Sequence, residues 1–548
     1  LTESDVMVDS PTNNFCTLNP LAIGSGVTLS EGNLSSVSSS WQWAKSTFSV
    51  GSGKWYWEIN HLNGGADNLF CGISKENFTA FGYNLATSSA ENYNVWGYTS
   101  NLGYKEGQNT YASFGATFQT AGDVVGVALD MDAGTIAFYK NGASQGTAFS
   151  NVTGLVTPVW GGVNSSVSKA ILNFGADSSF AGNKTPQGNQ DSNSVGDFFY
   201  PVPSGFLSLC SANLPSVDVI PSEHFNTVLY TGTGGTQSIT GVGFQPDFTW
   251  IKARNAAQTH GLFDSNRGVQ KLLQSNTTSA ELTSTGYVTS FNSDGITIGG
   301  TGFLNGSGDT FVNWNWKAGG TAVSNTNGSI TSSVSANPSA GFSIVSWVGT
   351  DTTGSVGHSL SQIPELIISK SRTVVGDWIV PTTVIDGSMD YSRLNTTNAF
   401  ATYGVTATTS SIFYTAGGAG NRGDMIAYCF HSVDSYSRVG SYTGNGSATA
   451  GPFVHCGFRP AFVMVKRTDG GGGGWHILDD ERAFPFNPIQ VRLEADNSDA
   501  ENTGGPPNTD LVSNGFKLRT TFDNMNASGG TYIFLAFAET PFKFSNAR

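Results

Sequence analysis

A proline followed six positions later by a lysine occurs three times in the C-terminal part of this chain: Pro246/Lys252, Pro364/Lys370 and Pro460/Lys466. Between each pair apolar residues alternate, as Phe248 and Trp250, Leu366 and Ile368, Phe462 and Met464. Alternation at period two places those side chains on one face of a β-strand. Roughly sixty residues later each copy has an asparagine and then a second apolar strand, the pattern of a duplicated structural unit. These are Asn305 before Thr310-Phe-Val-Asn-Trp-Asn-Trp316, Asn421 before Met425-Ile-Ala-Tyr-Cys-Phe430, and Asn526 before Thr531-Tyr-Ile-Phe-Leu-Ala-Phe537. Each copy opens on a strand that ends at glycine: Val228-Leu-Tyr-Thr-Gly232, Ile344-Val-Ser-Trp-Val-Gly349 and Val439-Gly-Ser-Tyr-Thr-Gly444.

Residues 223–548 therefore divide into three homologous modules, 223–336, 337–434 and 435–548. Each has enough strand signals for a small β-sandwich, which is the expected form. The alternative is that the three close into one three-fold body. Modules one and three share more with each other, including Asp264 and Arg267 against Asp479 and Arg482, expected as ion pairs inside their modules. The middle module diverges there. Trp314 and Trp316 share one strand face, aligned here with Cys429/His431 and Leu535/Phe537, and are expected in the core.

The rest of the 548-residue chain reads the same way. Helical periodicity is nearly absent, and short apolar runs alternate with Gly, Asn, Asp and Ser clusters, so the fold class is all-β. In Gly122-Asp-Val-Val-Gly-Val-Ala-Leu-Asp130, the side chains of Val125, Val127 and Leu129 share a face, and the next strand ends at Asn141-Gly142, a strong turn signal. Charged residues are only 12% and the net charge is −14, with no Lys/Arg cluster to meet phosphates, which excludes nucleic acid as the expected partner. No apolar run approaches the roughly 20 residues of a membrane-spanning helix. Five cysteines lie far apart without metal-type spacing and are expected as free thiols. The sequence starts at Leu1 without a visible signal peptide, consistent with a processed product or a fragment.

Gly53-Lys-Trp-Tyr-Trp-Glu-Ile59, Cys71-Gly-Ile-Ser74, the strand ending at Asp130, Thr135-Ile-Ala-Phe-Tyr-Lys-Asn-Gly142, Gln145-Gly-Thr-Ala-Phe149 and Pro158 fall in one order. That order resembles the SPRY domain, a concanavalin-like sandwich of two antiparallel sheets, over residues 1–178. The segment 179–222, rich in Gly, Asn, Ser and Pro, reads as a connector whose Phe198-Phe-Tyr-Pro-Val-Pro203 packs against a neighbour. The repeated tract resembles an uncharacterised module that accompanies SPRY domains in bacteriophage tail and other structural proteins. That resemblance implies a virion address and no known chemistry.

No catalytic constellation is apparent. The seven histidines show no metal spacing, and no nucleophile elbow or dinucleotide loop is present. No catalytic residue, metal ligand or cofactor is expected. Asp130/Asp132 and Asp479-Asp480-Glu481 are the tightest carboxylate groups, and turn chemistry accounts for them. The better signal is aromatic residues among amides: Tyr93, Trp96 and Tyr98, then Tyr104 and Tyr111. Rings stack on the apolar faces of sugars while Asn side chains bond hydroxyls, and in SPRY domains loops at one sandwich edge carry ligands. Trp475 and His476, after the five-glycine run Gly470–Gly474, form a second candidate.

The expected function is a non-enzymatic virion-surface or extracellular protein, a tail-fibre, tailspike-like or decoration protein that binds a host cell-surface glycan or protein. Other virion proteins are expected partners, and a homo-oligomer, first of all a trimer, the expected assembly. The alternatives are a cement protein with no host ligand, a polysaccharide depolymerase, and a peptide-binding SPRY adaptor.

Overall fold

In the N-terminal part, the strand Lys54–His61 carries Trp55, Trp57 and Ile59 on one face and Tyr56, Glu58 and Asn60 on the other, and everything from Trp55 onward is buried. Both faces therefore need a cover. The computed structural model that supplies it describes residues 13–39, 42–63, 69–76, 78, 94–162, 167–215, 217–300, 302–470, 472–482, 487–502 and 508–542. The chain forms two compact units, Leu1–Ser216 and Val217–Arg548, and nearly all its regular structure is strand.

The first unit is a two-sheet sandwich. One sheet runs Leu18–Ile23, Trp43–Ser46, Val156–Gly162, Leu69–Lys75, Val95–Thr99, Tyr104–Gly107, Thr110–Ser113. The other runs Ala143–Phe149, Thr135–Lys140, Val124–Asp130, Lys54–His61, Ser168–Asn173, Ser35–Ser38, Val27–Ser30. The Trp57 face of Lys54–His61 looks inward, with its ring 6.3 Å from Phe174. The Tyr56 face is covered by the stretch read from sequence as a connector. Phe198 is fully buried and packs 5.3 Å from the Tyr56 ring. The backbone N–H groups of Phe199 and Tyr200 donate to the Glu58 carboxylate at 2.9 and 2.8 Å. Burial still pushes that carboxyl up to about 7, against the pull of these donors. Asp191 ties the same segment to itself and to Ser208 and Asn213. Residues 179–215 thus belong to the sandwich, and the boundary between units falls at 216/217 instead of 222.

In the second unit, each module has a main sheet with the same central order: opening strand, closing strand, Pro/Lys strand, next strand. These are Phe225–Thr231, Thr310–Trp316, Phe248–Ala253, Gly261–Asp264 in the first module. The second has Phe342–Thr350, Arg422–Phe430, Leu366–Ser371, Ile379–Thr382, and the third Ser437–Thr443, Thr531–Pro541, Phe458–Arg467, His476–Asp479. A smaller sheet faces each main sheet and closes a private core: Ile251, Phe263 and Phe311 against Ile296 and Ile298, Val345 and Met425 against Val356 and Phe413, Val463 and Phe534 against Phe516 and Leu518. These are three β-sandwiches. The outer faces of the three main sheets then meet in one common core that includes Phe248, Trp314, Trp316, Leu366, Tyr428, Phe430, Phe462, Leu535 and Phe537. Phe248 stacks on Tyr428 at 4.1 Å and Phe225 on Phe537 at 4.9 Å. Separate sandwiches and a closed three-fold body are thus not exclusive.

Register corrects the sequence alignment. Phe248 pairs with Trp316, Leu366 with Phe430 and Phe462 with Phe537. The counterparts of Trp314/Trp316 are therefore Tyr428/Phe430 and Leu535/Phe537. Cys429 and His431 are one residue out of step, and one residue turns a side chain to the opposite face. Cys429 accordingly lies in the second module's private core. The repeated lysines and asparagines are structural. Lys252, Lys370 and Lys466 are buried, with Nζ donating to the carbonyls of Ala256, Gly376 and Gly473 in the loop after the strand, and Lys252 also to Ala253 at the strand's end. Burial lowers all three to about 8. Asn305, Asn421 and Asn526, each fully buried, bridge the loop before the closing strand to the end of the opening strand.

One set of side-chain contacts between modules runs in a single rotational sense and closes on itself. Trp378 Nε1 donates to Gln274 O (2.8 Å), second module onto first. Trp475 Nε1 donates to Arg393 O (2.9 Å), third onto second. His260 Nε2 lies 3.0 Å from Glu494 O, first onto third. Because Trp250 Nε1 donates to His260 Nδ1 (2.8 Å), the His260 proton sits on Nε2 and completes the set. A backbone set closes the cycle in the opposite sense, first module onto second, second onto third and third onto first: Glu281 N to Arg372 O, Phe400 N to Thr468 O, Glu501 N to Arg254 O. The middle module's divergence now has a cause. The Asp264–Arg267 pair accepts the Tyr428 hydroxyl at Asp264 (2.7 Å), and the Asp479–Arg482 pair accepts Trp314 Nε1 at Asp479 (3.0 Å). At the third equivalent strand position stands Leu535, which has nothing to donate, and Thr382 stands where the others carry aspartate.

Two outcomes follow. Tyr428→Phe leaves Asp264 short of a buried donor and should cost about 1–3 kcal/mol in denaturant unfolding of the second unit. A chain ending at residue 434 loses Phe462, Leu535 and Phe537 from the common core, and residues 217–434 should then give no cooperative calorimetric transition.

Candidate functional site

The edge of the seven-stranded sheet ends in a hairpin, Tyr104–Gly107 paired with Thr110–Ser113. Its two-residue turn, Gln108-Asn109, has φ of 50° and 55°, the left-handed pair that matches strand twist in tight hairpins. Gly107 is required by its own φ of 127° and by the Val95 carbonyl oxygen, which would lie 2.1 Å from any Cβ there. The register sets Glu106 opposite Tyr111 and Tyr104 opposite Ser113. Tyr104, Glu106 and Tyr111 therefore share one face. Lys105 is on the other, donating Nζ to Ala148 O at 2.8 Å and lying 5.3 Å over the Phe149 ring.

The rings of Tyr104 and Tyr111 stand edge-to-face, 4.9 Å apart. Tyr111 is 50% exposed and Tyr104 half-buried. Beside them Glu106 is 2% exposed, and its Oε1 has no hydrogen-bond partner among the described residues. Burial pushes its carboxyl up to about 7. Two phenols and a desolvated carboxyl at an exposed edge can bind a ligand: rings supply apolar and π contact, and the carboxyl waits for a donor. Glu106 was missed from sequence because one glutamate in a polar hairpin reads as a solvated side chain. The available signal was the period-two spacing from Tyr104 together with the two-residue turn.

The other candidates move. Trp96 (1% exposed) and Tyr98 (0%) lie on Val95–Thr99, a strand buried throughout. Trp96 Nε1 donates to Asn151 at 3.2 Å, and Tyr98 packs among Phe114, Phe118 and Phe138, the last from the opposite sheet. Both are corrected from binding loop to sandwich core. Tyr93 lies outside the described residues. Trp475 and His476 are corrected as well: both are buried, Trp475 as the contact onto Arg393 and His476 beside Glu494 at 3.3 Å. Asp130 accepts Ala133 N and pairs with Lys54, and Asp132 accepts Gly53 N, all at a turn. Among the described residues no group of three His, Cys, Asp or Glu is placed to hold a metal ion, and the five cysteines are buried and form no disulfide.

A family model described as "Domain of unknown function (DUF7483)" matches residues 220–541, one stretch across all three modules. The chain belongs to the DUF7483 family. The DUF7483 body is thus the whole closed ring and not one of its sandwiches. The SPRY domain model matches residues 54–175, and the first unit is a SPRY sandwich. Among solved structures, the chain is similar to the SPRY domain of human HERC1 (21% identity, 28% of this chain and 96% of that one, TM-score 0.25). It is also similar to stonustoxin (24%, 29% of this chain and 27% of that one, TM-score 0.24) and to the TRIM65 PSpry domain (16%, 29% and 92%, TM-score 0.22).

Because the folded pKa of Glu106 is raised, its neutral form favours the folded state. That contribution is complete below about pH 4.5 and is lost as pH rises through about 7. Glu106→Gln keeps a neutral group, so it should stabilise the SPRY unit by about 1–3 kcal/mol at pH 8 and leave it nearly unchanged at pH 4. Thermal unfolding at the two pH values checks this.

Proposed function

We propose that this chain is a non-enzymatic binding protein of a virion surface, in which the SPRY sandwich presents its Tyr104–Glu106–Tyr111 hairpin to a host cell-surface ligand and the DUF7483 ring serves as a structural mount. The observation that carries the reading is the edge-to-face tyrosine pair, with Tyr111 exposed, next to a buried carboxyl without a partner among the described residues. Apolar walls with one unsatisfied polar group are the usual make-up of a recognition site. The virion address is supported by the resemblance of the repeated tract to a module of bacteriophage tail and structural proteins. Low charge and an amide-rich surface fit an extracellular setting. Assembly as a homo-oligomer, a trimer in the first instance, lets a weak site act with avidity.

The test is binding of the fluorescently labelled full chain to intact candidate host cells, with and without competing surface polysaccharide or protease treatment of the cells. Wild-type chain should bind, and Tyr104→Ala/Tyr111→Ala should lose at least about tenfold in affinity, as expected when aromatic anchors at a small site are removed. Undiminished binding by a folded double variant would sink the hairpin assignment. Absence of binding by folded, oligomeric wild-type chain would favour a cement protein.

A further inference from the structure

The hairpin has a second property besides its tyrosines: its last strand is an open edge. Thr110–Ser113 stands at the end of the sheet order, and no strand lies beyond it among the described residues. A two-residue turn makes Gly107/Thr110 a hydrogen-bonded pair, and the alternation of antiparallel ladders makes Lys105/Ala112 the next. The bond from Phe114 N to Gly103 O, 3.0 Å, continues the series. Tyr111 and Ser113 therefore turn their backbone N–H and C=O groups away from Tyr104–Gly107, toward the open side. An unpaired edge of this kind is a template for an added strand.

We propose that this edge binds an extended peptide as an additional strand, with a Lys or Arg side chain of that peptide laid along Tyr111 and paired with Glu106. The inference rests on the hairpin being a binding surface and narrows its partner to a protein segment carrying a basic residue. Glu106 selects the charge. Its carboxyl is buried and Oε1 has no partner among the described residues, so an ammonium or guanidinium group supplies what is missing. Tyr111 supplies the route. A residue opposite Tyr111 on the added strand is two strand spacings from Glu106, roughly 10 Å, a span that a basic stem and the glutamate cover together across the tyrosine ring. The unit's charge agrees: residues 1–216 contain seven lysines and no arginine against fifteen carboxylates. An acidic surface raises the encounter rate with a basic partner.

The experiment measures fluorescence anisotropy of two labelled, end-capped peptides, Thr-Val-Thr-Lys-Thr-Val-Thr and the same peptide with norleucine for lysine, on the full chain. The lysine peptide should bind at least about tenfold more tightly, the loss expected when one member of a desolvated ion pair is neutralised. Glu106→Gln should erase that difference. Ser113→Pro, which removes only an outward N–H, should weaken both peptides tenfold or more. If Ser113→Pro unfolds the sandwich, a lysine peptide N-methylated at alternate residues along its pairing edge replaces it and must fail to bind. Equal binding of lysine and norleucine peptides, or no binding of either, overturns the proposal, as does full binding by the N-methylated peptide. Tyrosine-dependent cell binding without peptide binding leaves the preceding reading standing and removes this one. Peptide binding without cell binding does the reverse.

Discussion

Three strands, Thr310–Trp316, Arg422–Phe430 and Thr531–Pro541, are buried on both faces over most of their length, and the architecture of residues 217–548 follows from covering each face once. A small sheet covers one face within the module. The other face has no cover inside its own module and finds it in the other two. A single sandwich cut from this body would expose side chains such as Trp316, Phe430 or Phe537 to water, at roughly 1.5–3 kcal/mol for each large apolar side chain. Three-fold closure is what the apolar pattern demands once each small sheet has covered only half of it.

The first unit solves the same problem by another route. Lys54–His61 is also buried on both faces, but there the second cover is a segment with little regular structure, fixed by Phe198 and by the Glu58 carboxylate. Such a cover is poor in sequence signals, because Gly, Asn and Pro suit a backbone that bonds to side chains as readily as a free linker. That is why 179–215 reads as a connector from sequence and as part of the sandwich in the structure.

The same physics sorts what was legible in the candidate sites. The Pro/Lys spacing exposed the modules because the buried lysine must reach a loop carbonyl at a fixed distance along the strand. The alignment of Trp314 with Cys429 slipped by one residue because a strand apolar on both faces carries no alternation to fix its register. Trp96 and Tyr98 read as loop residues because Asn and Gly surround them, yet Gly97 is there to let Phe70 close against the strand, and the two aromatics fill the interior. Tyr104 and Tyr111 kept their place at the surface because the turn between them is short enough to leave them at the sheet's end.

The ring of three modules is made from one chain, so its three interfaces are not copies of one another. In a trimer of identical subunits every substitution is written three times, and a change that suits one contact is imposed on all. Here the second module carries neither the aspartate nor the arginine where Leu535 offers no donor, and Phe400 stands where the other two seams have glutamate and packs on Trp475. Covalent linkage lets each seam carry residues of its own, so the three joints of the ring are built differently in one molecule.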